Sequence, residues 1–476
     1  MPWQDFREFL AELERRGHVR RVDGADGELE IGTLTELMCE RQGPMLLFGN
    51  IPGHAPGYRV AAKPYATAAR CAVALGLPDG LAPLEMVRQW KERLAGYRPI
   101  APQEVTSAPL LQNVFEEGDV DLTRLPSPRW REGDGGRYFG SGCTVITRDP
   151  DEGWVNAGAY RCMLHDGRTT GVDIAPYHHG HLHIRKWWER GENCPIAVAV
   201  TPDPYLFFAA SNGLPWGRSE YEFAGYVKGA PLEVIRGPRT GLPLPANAEL
   251  VIEGEVPPPQ IEQRDEGPFG EFTGYYSGAA RPRPVIRVQA LYHRHDPILQ
   301  GDPPLKPPGA HWGGIPSGSV LRVWDGLDKA GIPGVVGVYD TLGTEGGLVL
   351  TVAIRQQYAG HARQVGRVAS GLVHAFYRVL VVVDDDVDPS KPDDVLWAIA
   401  TRSDPAASFE IQPECPSSPL DPMLSPEMRA RGDMTTSRAV IIACRPWLWR
   451  DAFPVVNRVS DALRQEALGK WRTLFE

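Results

Sequence analysis

Cysteine is scarce: the chain has seven, an odd number, scattered and with no CxxC pair. That argues against a disulfide framework and against a paired-thiol metal or redox motif, and it predicts reduced, mostly buried thiols. An excess of positive charge is also missing. The formal net charge is −10, which disfavours a general nucleic-acid-binding surface and leaves room only for a local basic patch. No apolar run is long enough to span a membrane. The stretch Met1-Pro2-Trp3-Gln4-Asp5-Phe6 lacks the basic region and apolar core of a signal peptide, so a cytoplasmic location is expected. There is no P-loop, no well-placed GxGxxG, no HExxH and no zinc-finger spacing. A nicotinamide Rossmann domain and a zinc hydrolase therefore have little support.

What is present is the composition of a globular protein, 42% hydrophobic and 23% charged over 476 residues, long enough for two or three domains. The 45 prolines and 51 glycines are spread throughout, predicting many turns and ordered loops. Trp3, Phe6, Phe9, Leu10 and Leu13 share one helical face that Gly17 can end. Helices are also expected near 31–39, 67–75 and 84–94, with a short buried strand at 45–48. From about Tyr138 short β-type runs recur at 143–147, 155–163, 196–201, 250–255 and 285–292, the pattern of an antiparallel sheet or barrel. One helix, 220–228, interrupts them. The segment Asp302-Pro303-Pro304-Leu305-Lys306-Pro307-Pro308 cannot be a regular helix or central strand and reads as a boundary loop. Beyond it helices (320–327, 362–376, 395–401) alternate with strands (335–339, 348–354, 379–383), an α/β domain. Residues 459–471 read as a terminal amphipathic helix that docks within the protomer or across an oligomer interface.

Four segments carry candidate chemistry. Glu266-Gly267-Pro268-Phe269-Gly270-Glu271 sets two carboxylates around a turn that can bring both to one point, and its glycines permit close approach of a flat ligand. Buried there, an acid can donate a proton near neutral pH; spacing alone favours an exposed turn with two solvated acids. In Asn156-Ala157-Gly158-Ala159-Tyr160-Arg161, strand alternation puts Asn156 and Arg161 on opposite faces unless a bend at Gly158 intervenes. Arg161 is suited to a two-pronged carboxylate pair, or to an ordinary strand surface. Tyr177-His178-His179-Gly180-His181-Leu182-His183 holds four of the twelve histidines; imidazole suits transition metals, and a polar hydrogen-bonding loop is the plain alternative. Ser219-Glu220-Tyr221-Glu222 reads as a first helical turn with acids at its positive end.

In their order along the chain these segments resemble the UbiD decarboxylase family, which includes ferulic acid decarboxylases and bacterial aromatic-acid decarboxylases. The resemblance runs through Asp119-Val120-Asp121-Leu122, Leu125-Pro126, Gly133-Asp134-Gly135-Gly136-Arg137-Tyr138, Asn156 to Arg161, Thr170-Gly171, Pro176 to His178 and Ser219 to Gly225. It continues through the Glu266–Glu271 turn, Val383-Asp384-Asp385-Asp386-Val387-Asp388 and Leu396-Trp397-Ala398-Ile399. It implies a mixed α/β (α+β) fold: a flavin-reductase-like split β-barrel with flanking α/β elements, and a C-terminal α/β domain. The expected divisions are an N-terminal α/β region (1–115), a cofactor-binding split barrel (116–310), an α/β oligomerisation domain (311–450) and a C-terminal helix (451–476).

The resemblance also implies the chemistry. Reversible, non-oxidative decarboxylation of an aromatic, heteroaromatic or α,β-unsaturated acid would use prenylated FMN, Mn²⁺ or Mg²⁺ and a K⁺ ion. Arg161, Glu266 and Glu271 match the family's acid/base set, with Glu271 as proton donor and Arg161 and Glu266 orienting substrate. Asn156, His178 and Glu220 match the ligands of the metal that ties the cofactor phosphate to the protein, with Glu222 as the alternative register. Arg161 joins them in holding the cofactor. His311, Ile315, Ser418 and Leu420 would line the substrate pocket. Ser418 stands where ferulic-type enzymes carry phenylalanine, which leaves room for a fused or heteroaromatic ring; His311 could hydrogen-bond a polar ring group. The implied partners are a small carboxylic acid, a flavin prenyltransferase that supplies the cofactor, and a second copy in a homodimer or higher homo-oligomer, with no nucleic acid and no membrane. A flavin-binding or assembly protein without turnover, and a metal-dependent hydrolase built on the histidine cluster, are the competing readings.

Overall fold

Phe6, Phe9, Leu10 and Leu13 fall on one side of the first helix, Phe6–Arg15, and all four are buried. Asp5 caps the helix by accepting from the Glu8 amide, satisfying one of the donors every helix start leaves unpaired. The computed structural model describes residues 3–78, 80–276, 278–307, 318–342, 347–373 and 375–475. This first helix packs beside a four-stranded sheet in the order Val19–Asp23, Met45–Gly49, Arg59–Ala62, Ile298–Gly301. The last strand comes from far along the chain and pairs in parallel with Arg59–Ala62, just before the proline-rich segment.

A ten-stranded sheet forms a curled half-barrel in the order Tyr138–Gly140, Cys162–Asp166, Thr169–Gly171, Arg281–His293, Leu250–Val256, Cys194–Val200, Cys143–Arg148, Val155–Gly158, with Gln263–Glu266 and Asn113–Glu116 also paired to the long Arg281–His293 strand. Its pairs are antiparallel. The pairing shifts register between Glu253 and Gly254. A Cβ on Gly254 would lie 2.2 Å from the Arg287 carbonyl oxygen, so the bend requires glycine there.

Two expectations change here. The single run 155–163 is two strands, because the chain turns after Gly158. A Cβ on Gly158 would sit 2.4 Å from Tyr160 Cζ, and the Tyr160 ring fills the space that a straight strand's side chain would take. The helix Glu220–Lys228 is also not alone: His179–Glu189 and Pro204–Ala210 are helical as well. The histidine-rich run reads as polar, yet Gly180, His183 and Ile184 are its buried positions, the three-and-four spacing of one helical face.

The C-terminal sheet has five strands in the order Val335–Asp340, Val349–Ile354, Val379–Asp384, Thr435–Ala443, Phe409–Pro416. The central pairs are parallel and the two edges antiparallel. Leu380 and Val382 pack with the helices Gly318–Lys329 and His361–Leu372 on one face. Val381 and Val383 pack with Pro392–Arg402 on the other. Burial on both faces explains the unbroken apolar run at 379–383. Phe409–Pro416 and Thr435–Ala443 have no counterpart in the sequence expectation. Pro413 and Pro416 disguise the former, and an edge strand tolerates them. Near the end of the chain a helix spans Asp461–Lys470 and a single turn follows at Arg472–Phe475, and the described side chains from 454 to 474 are exposed. None of the seven cysteines is in a disulfide, and Cys71, Cys143, Cys162, Cys194 and Cys444 are buried. No described helix is long and apolar enough to cross a membrane.

Candidate active site

The Glu266–Glu271 turn is received by the glycine-rich stretch 133–136. A Cβ on Gly135 would lie 1.8 Å from the Gly267 carbonyl oxygen, and one on Gly270 would lie 2.5 Å from Arg131 Nη1. The Gly135 amide donates to Pro268 O at 2.8 Å, and Gly267 takes φ +86° beside a cis Gly267–Pro268 bond. Backbone packed against backbone at Gly135, and the Arg131 guanidinium packed against Gly270, fix the two ends of the turn. Glu266 is 1% exposed and Glu271 8%, so the alternative of two solvated acids does not describe this turn.

The bend after Gly158 brings Arg161 to both acids. Its Nε donates to Glu266 Oε1 at 2.8 Å and Nη2 to Glu266 Oε2 at 2.9 Å, while Nη1 donates to Glu271 Oε1 at 2.5 Å. Tyr138 donates its hydroxyl to Glu266 Oε1 at 3.0 Å, and the Phe269 ring lies 5.4 Å from the guanidinium. Burial alone would push Arg161 down, but Glu266, Asp173 and Glu271 outweigh it and hold the guanidinium above its ordinary value. Burial raises the Glu271 carboxyl; Arg161 opposes this, and the charges of Asp173 and Glu266 add to it. An acid so placed keeps its proton to higher pH than a solvated glutamate.

Asn156 stands on the last barrel strand and points the other way along the bend. Its Nδ2 donates to Glu220 Oε1 at 3.0 Å, and the Ala157 amide donates to Glu220 Oε2 at 2.9 Å. Glu220 is buried at the start of its helix, whereas Glu222 is only half-buried; Glu220 is the acid that meets Asn156. Burial pushes the Glu220 carboxyl up to about 7, and no cation pairs with it among the described residues. Asn156 Oδ1 is buried without a hydrogen-bond partner. His178 caps the helix His179–Glu189, its ring edge-on to Tyr160 at 5.5 Å. A Cβ on Gly180, in that helix's first turn, would lie 3.0 Å from Tyr160 and 3.4 Å from Asn156 Oδ1. The helix start and the Asn156–Glu220 pair thus share one small space. An orphan amide oxygen, a buried carboxylate without a cation and a nearby imidazole fit a hard divalent ion. Among the described residues no three His, Cys, Asp or Glu side chains form a ligand cluster, and this set contains only two of those residue types.

The four histidines of 178–183 do not converge. His179 and His183 pack edge-on to Trp154 and Trp216, and His181 packs against Trp188. That removes the geometric basis for a hydrolase built on the cluster. Ser418 is buried and hydrogen-bonds Tyr177, which also feels the charges of Asp173 and Glu271. The Leu420 amide donates to Ser418 Oγ at 3.2 Å. His311 and Ile315 lie outside the described residues. Two site residues escaped the sequence reading. Asp173 lies 2.6 Å from Arg161 Nη2, and Arg283 lies 2.7 Å from Asp173. Neither has a local signature; Asp173 merely follows Thr170-Gly171 by two residues.

Comparison with known proteins gives consistent matches. Residues 10–93, 103–307 and 319–443 match the N-terminal, Rift-related and C-terminal domain models of 3-octaprenyl-4-hydroxybenzoate carboxy-lyase, UbiD. The chain is 35% identical over 449 residues to a pyrrole-2-carboxylic acid decarboxylase of Pseudomonas aeruginosa, covering 90% of this chain and 89% of that protein. It is 33% identical over 440 residues to a phenolic acid decarboxylase of Bacillus subtilis, covering 90% of each. The UbiD-class enzyme HmfF from Pelotomaculum thermopropionicum, solved in complex with FMN, superposes with a TM-score of 0.85 at 27% identity over 98% of this chain and 99% of that one. An evolved dimeric form of HmfF with prFMN gives 0.82 at 26%, over 98% of this chain and 100% of that one.

Proposed function

The chain belongs to the UbiD family of carboxy-lyases, and from that premise we propose that it decarboxylates an aromatic, heteroaromatic or α,β-unsaturated acid reversibly and without net oxidation, using prenylated FMN. The observation that carries this reading is Arg161 held between Glu266 and the buried Glu271. Bound prenylated FMN supplies the electron sink for the departing carboxylate. Arg161, with Nε and Nη2 held by Glu266 and Asp173, turns Nη1 to the substrate carboxylate as a charged donor. Glu266, fixed by Tyr138 and by two Arg161 nitrogens, sets the plane of that guanidinium. Glu271 delivers its proton to the carbon that has lost carbon dioxide. While protonated it holds Arg161 Nη1 only weakly, which releases that nitrogen to the incoming acid.

Asn156, His178 and Glu220 would hold Mn²⁺ or Mg²⁺, whose charge would help retain the cofactor phosphate, and K⁺ would be a second ion of the site. The orphan Asn156 oxygen and the cation-free Glu220 support this assignment. A flavin prenyltransferase supplies the cofactor in the cytoplasm, and the chain assembles as a homodimer or higher homo-oligomer through its C-terminal region. For substrate, the small Ser418 beside Tyr177 favours a fused or heteroaromatic acid over a slender acrylic one, with Leu420 on the same stretch of the pocket wall. The test is co-expression with a flavin prenyltransferase, followed by turnover of indole, pyrrole, furan and phenazine carboxylates against cinnamic acid. A heteroaromatic acid should be preferred, and Ser418→Phe should shift the preference towards cinnamic acid by about tenfold. Preference for cinnamic acid with no effect of Ser418→Phe refutes the pocket assignment. Absence of turnover on every acid by flavin-loaded protein favours a binding role.

A further inference from the structure

We infer that Asp173, seated between Arg161 and Arg283, is a positioning residue whose charge keeps the proton on Glu271. The inference rests on the reading of Glu271 as proton donor. Asp173 is fixed at both ends. Its backbone forms an isolated antiparallel bridge with Arg161, and its amide donates to Arg161 O at 3.2 Å. Its Oδ2 lies 2.6 Å from Arg161 Nη2, and its Oδ1 lies 2.7 Å from Arg283 Nε. The neighbouring Val172 is buried and donates its amide to Pro284 O. That anchors the segment to the long barrel strand that carries Arg283.

The cluster contains two guanidiniums, Arg161 and Arg283, and three carboxylates, Asp173, Glu266 and Glu271. With all five ionised it carries one uncompensated negative charge in a largely buried place, which is costly. One proton neutralises it, and the contacts say where the proton sits. Glu266 accepts from two Arg161 nitrogens and from Tyr138. Asp173 touches both guanidiniums. Glu271 meets a single guanidinium nitrogen, so it is the carboxylate least held in its ionised form. Among the described residues the groups that act on Glu271 are Arg161, Asp173 and Glu266. Tyr177 stands at the margin, while Tyr138 and Arg283 reach it through Glu266 and Asp173. Without the charge of Asp173 the cluster balances with Glu271 ionised, and the donor is lost at lower pH. Without the charge of Arg283 the excess negative charge doubles, and the proton is held more tightly.

The two variants therefore move the enzyme in opposite directions, which a merely structural role would not do. The experiment measures kcat against pH for flavin-loaded wild type, Asp173→Asn, Asp173→Glu, Arg283→Gln and Glu271→Gln, with flavin absorbance reporting cofactor retention. Asp173→Asn should displace the alkaline fall in rate to lower pH by about one unit. Arg283→Gln should displace it to higher pH, and Asp173→Glu should restore the wild-type position. If Asp173→Asn does not retain flavin, the upward displacement in Arg283→Gln decides the matter alone. Alkaline limbs that stay in place, or move together, while Glu271→Gln abolishes turnover overturn the role of Asp173 and leave the donor intact. Turnover by Glu271→Gln with the wild-type limb overturns the donor and Asp173's role with it.

Discussion

At the scale of single residues, the chemistry turns on one carboxyl that must be protonated and one pair that must not be disturbed. Glu271→Gln keeps the size and one hydrogen bond of the side chain but has no acidic proton. Turnover should fall ~10²-fold or more while flavin absorbance stays. Wild-type product formed in deuterium oxide should carry deuterium at the carbon that held the carboxyl; its absence from the product would rule out a solvent-exchangeable donor. His178→Ala removes the imidazole that packs edge-on to Tyr160. Metal and flavin content, measured on purified protein, should drop together by about tenfold or more; full content of both would dismiss the site. The sequence announced these residues unevenly. Glu266 and Glu271 flank a distinctive turn, and Asn156 precedes a glycine that bends the strand. Asp173 and Arg283 have no such local mark. Their partnership with Arg161 exists only once the strands Cys162–Asp166 and Thr169–Gly171 have paired and laid the backbone of Asp173 against that of Arg161.

Elements position those residues, and the same physics shows which positions tolerate no change. Gly135 meets the turn backbone-to-backbone, with no flexible side chain to yield. Gly135→Ala should therefore destabilise by about 1–3 kcal/mol and lower turnover by displacing Glu266 and Glu271; thermal denaturation and kcat test both. In the turn that follows the strand Val379–Asp384, Asp386 accepts from Arg402 at 2.7 and 2.9 Å and pairs with Arg445 at 2.6 Å. Burial alone would raise its carboxyl, but the two guanidiniums outweigh it and hold it down from 3.8 to about 2. A depressed carboxylate stabilises the fold above its unfolded value and ceases to do so as pH falls through the folded one. Asp386→Asn should thus melt earlier than wild type near pH 6 and converge with it as pH drops from about 4 towards 2; a constant gap across that range would remove the ion cluster as the cause. Helices with a regular apolar face, such as Phe6–Arg15, were legible because their signal is local. The helix His179–Glu189 was not, because its inward positions include a glycine and a histidine. The edge strand Phe409–Pro416 hid behind prolines that only its unpaired side allows.

Across the whole molecule, the C-terminal arm is the part whose sequence and surroundings disagree. Val455 is 93% exposed and Leu474 73%, with Val459, Leu463 and Trp471 exposed between them. A ten-residue helix such as Asp461–Lys470 is marginal in water by itself, and each buried leucine would contribute about 1.5–3 kcal/mol. The arm therefore gains most from a covering surface. Residues 451–476 hold four basic side chains, Arg458, Arg464, Lys470 and Arg472, and four acidic ones, Asp451, Asp461, Glu466 and Glu476. Its charges cancel, so an acidic chain would not repel it, and docking of the arm would rest on apolar contact. The same C-terminal domain exposes Leu396 and Trp397 on the helix Pro392–Arg402, and Ile411 on the edge strand. In the proposed oligomer a second copy would present those residues to the arm. If the arm holds the proposed oligomer together, full-length protein should scatter light as an oligomer and protein lacking residues 451–476 as a monomer. The five-stranded sheet should keep its melting transition, because its apolar clusters draw nothing from the arm. The intact assembly should persist in high salt, as apolar docking predicts and a charge-held interface would not. An unchanged mass after the deletion would place the interface elsewhere, and dissociation by salt alone would show that charge, not apolar area, holds the copies together.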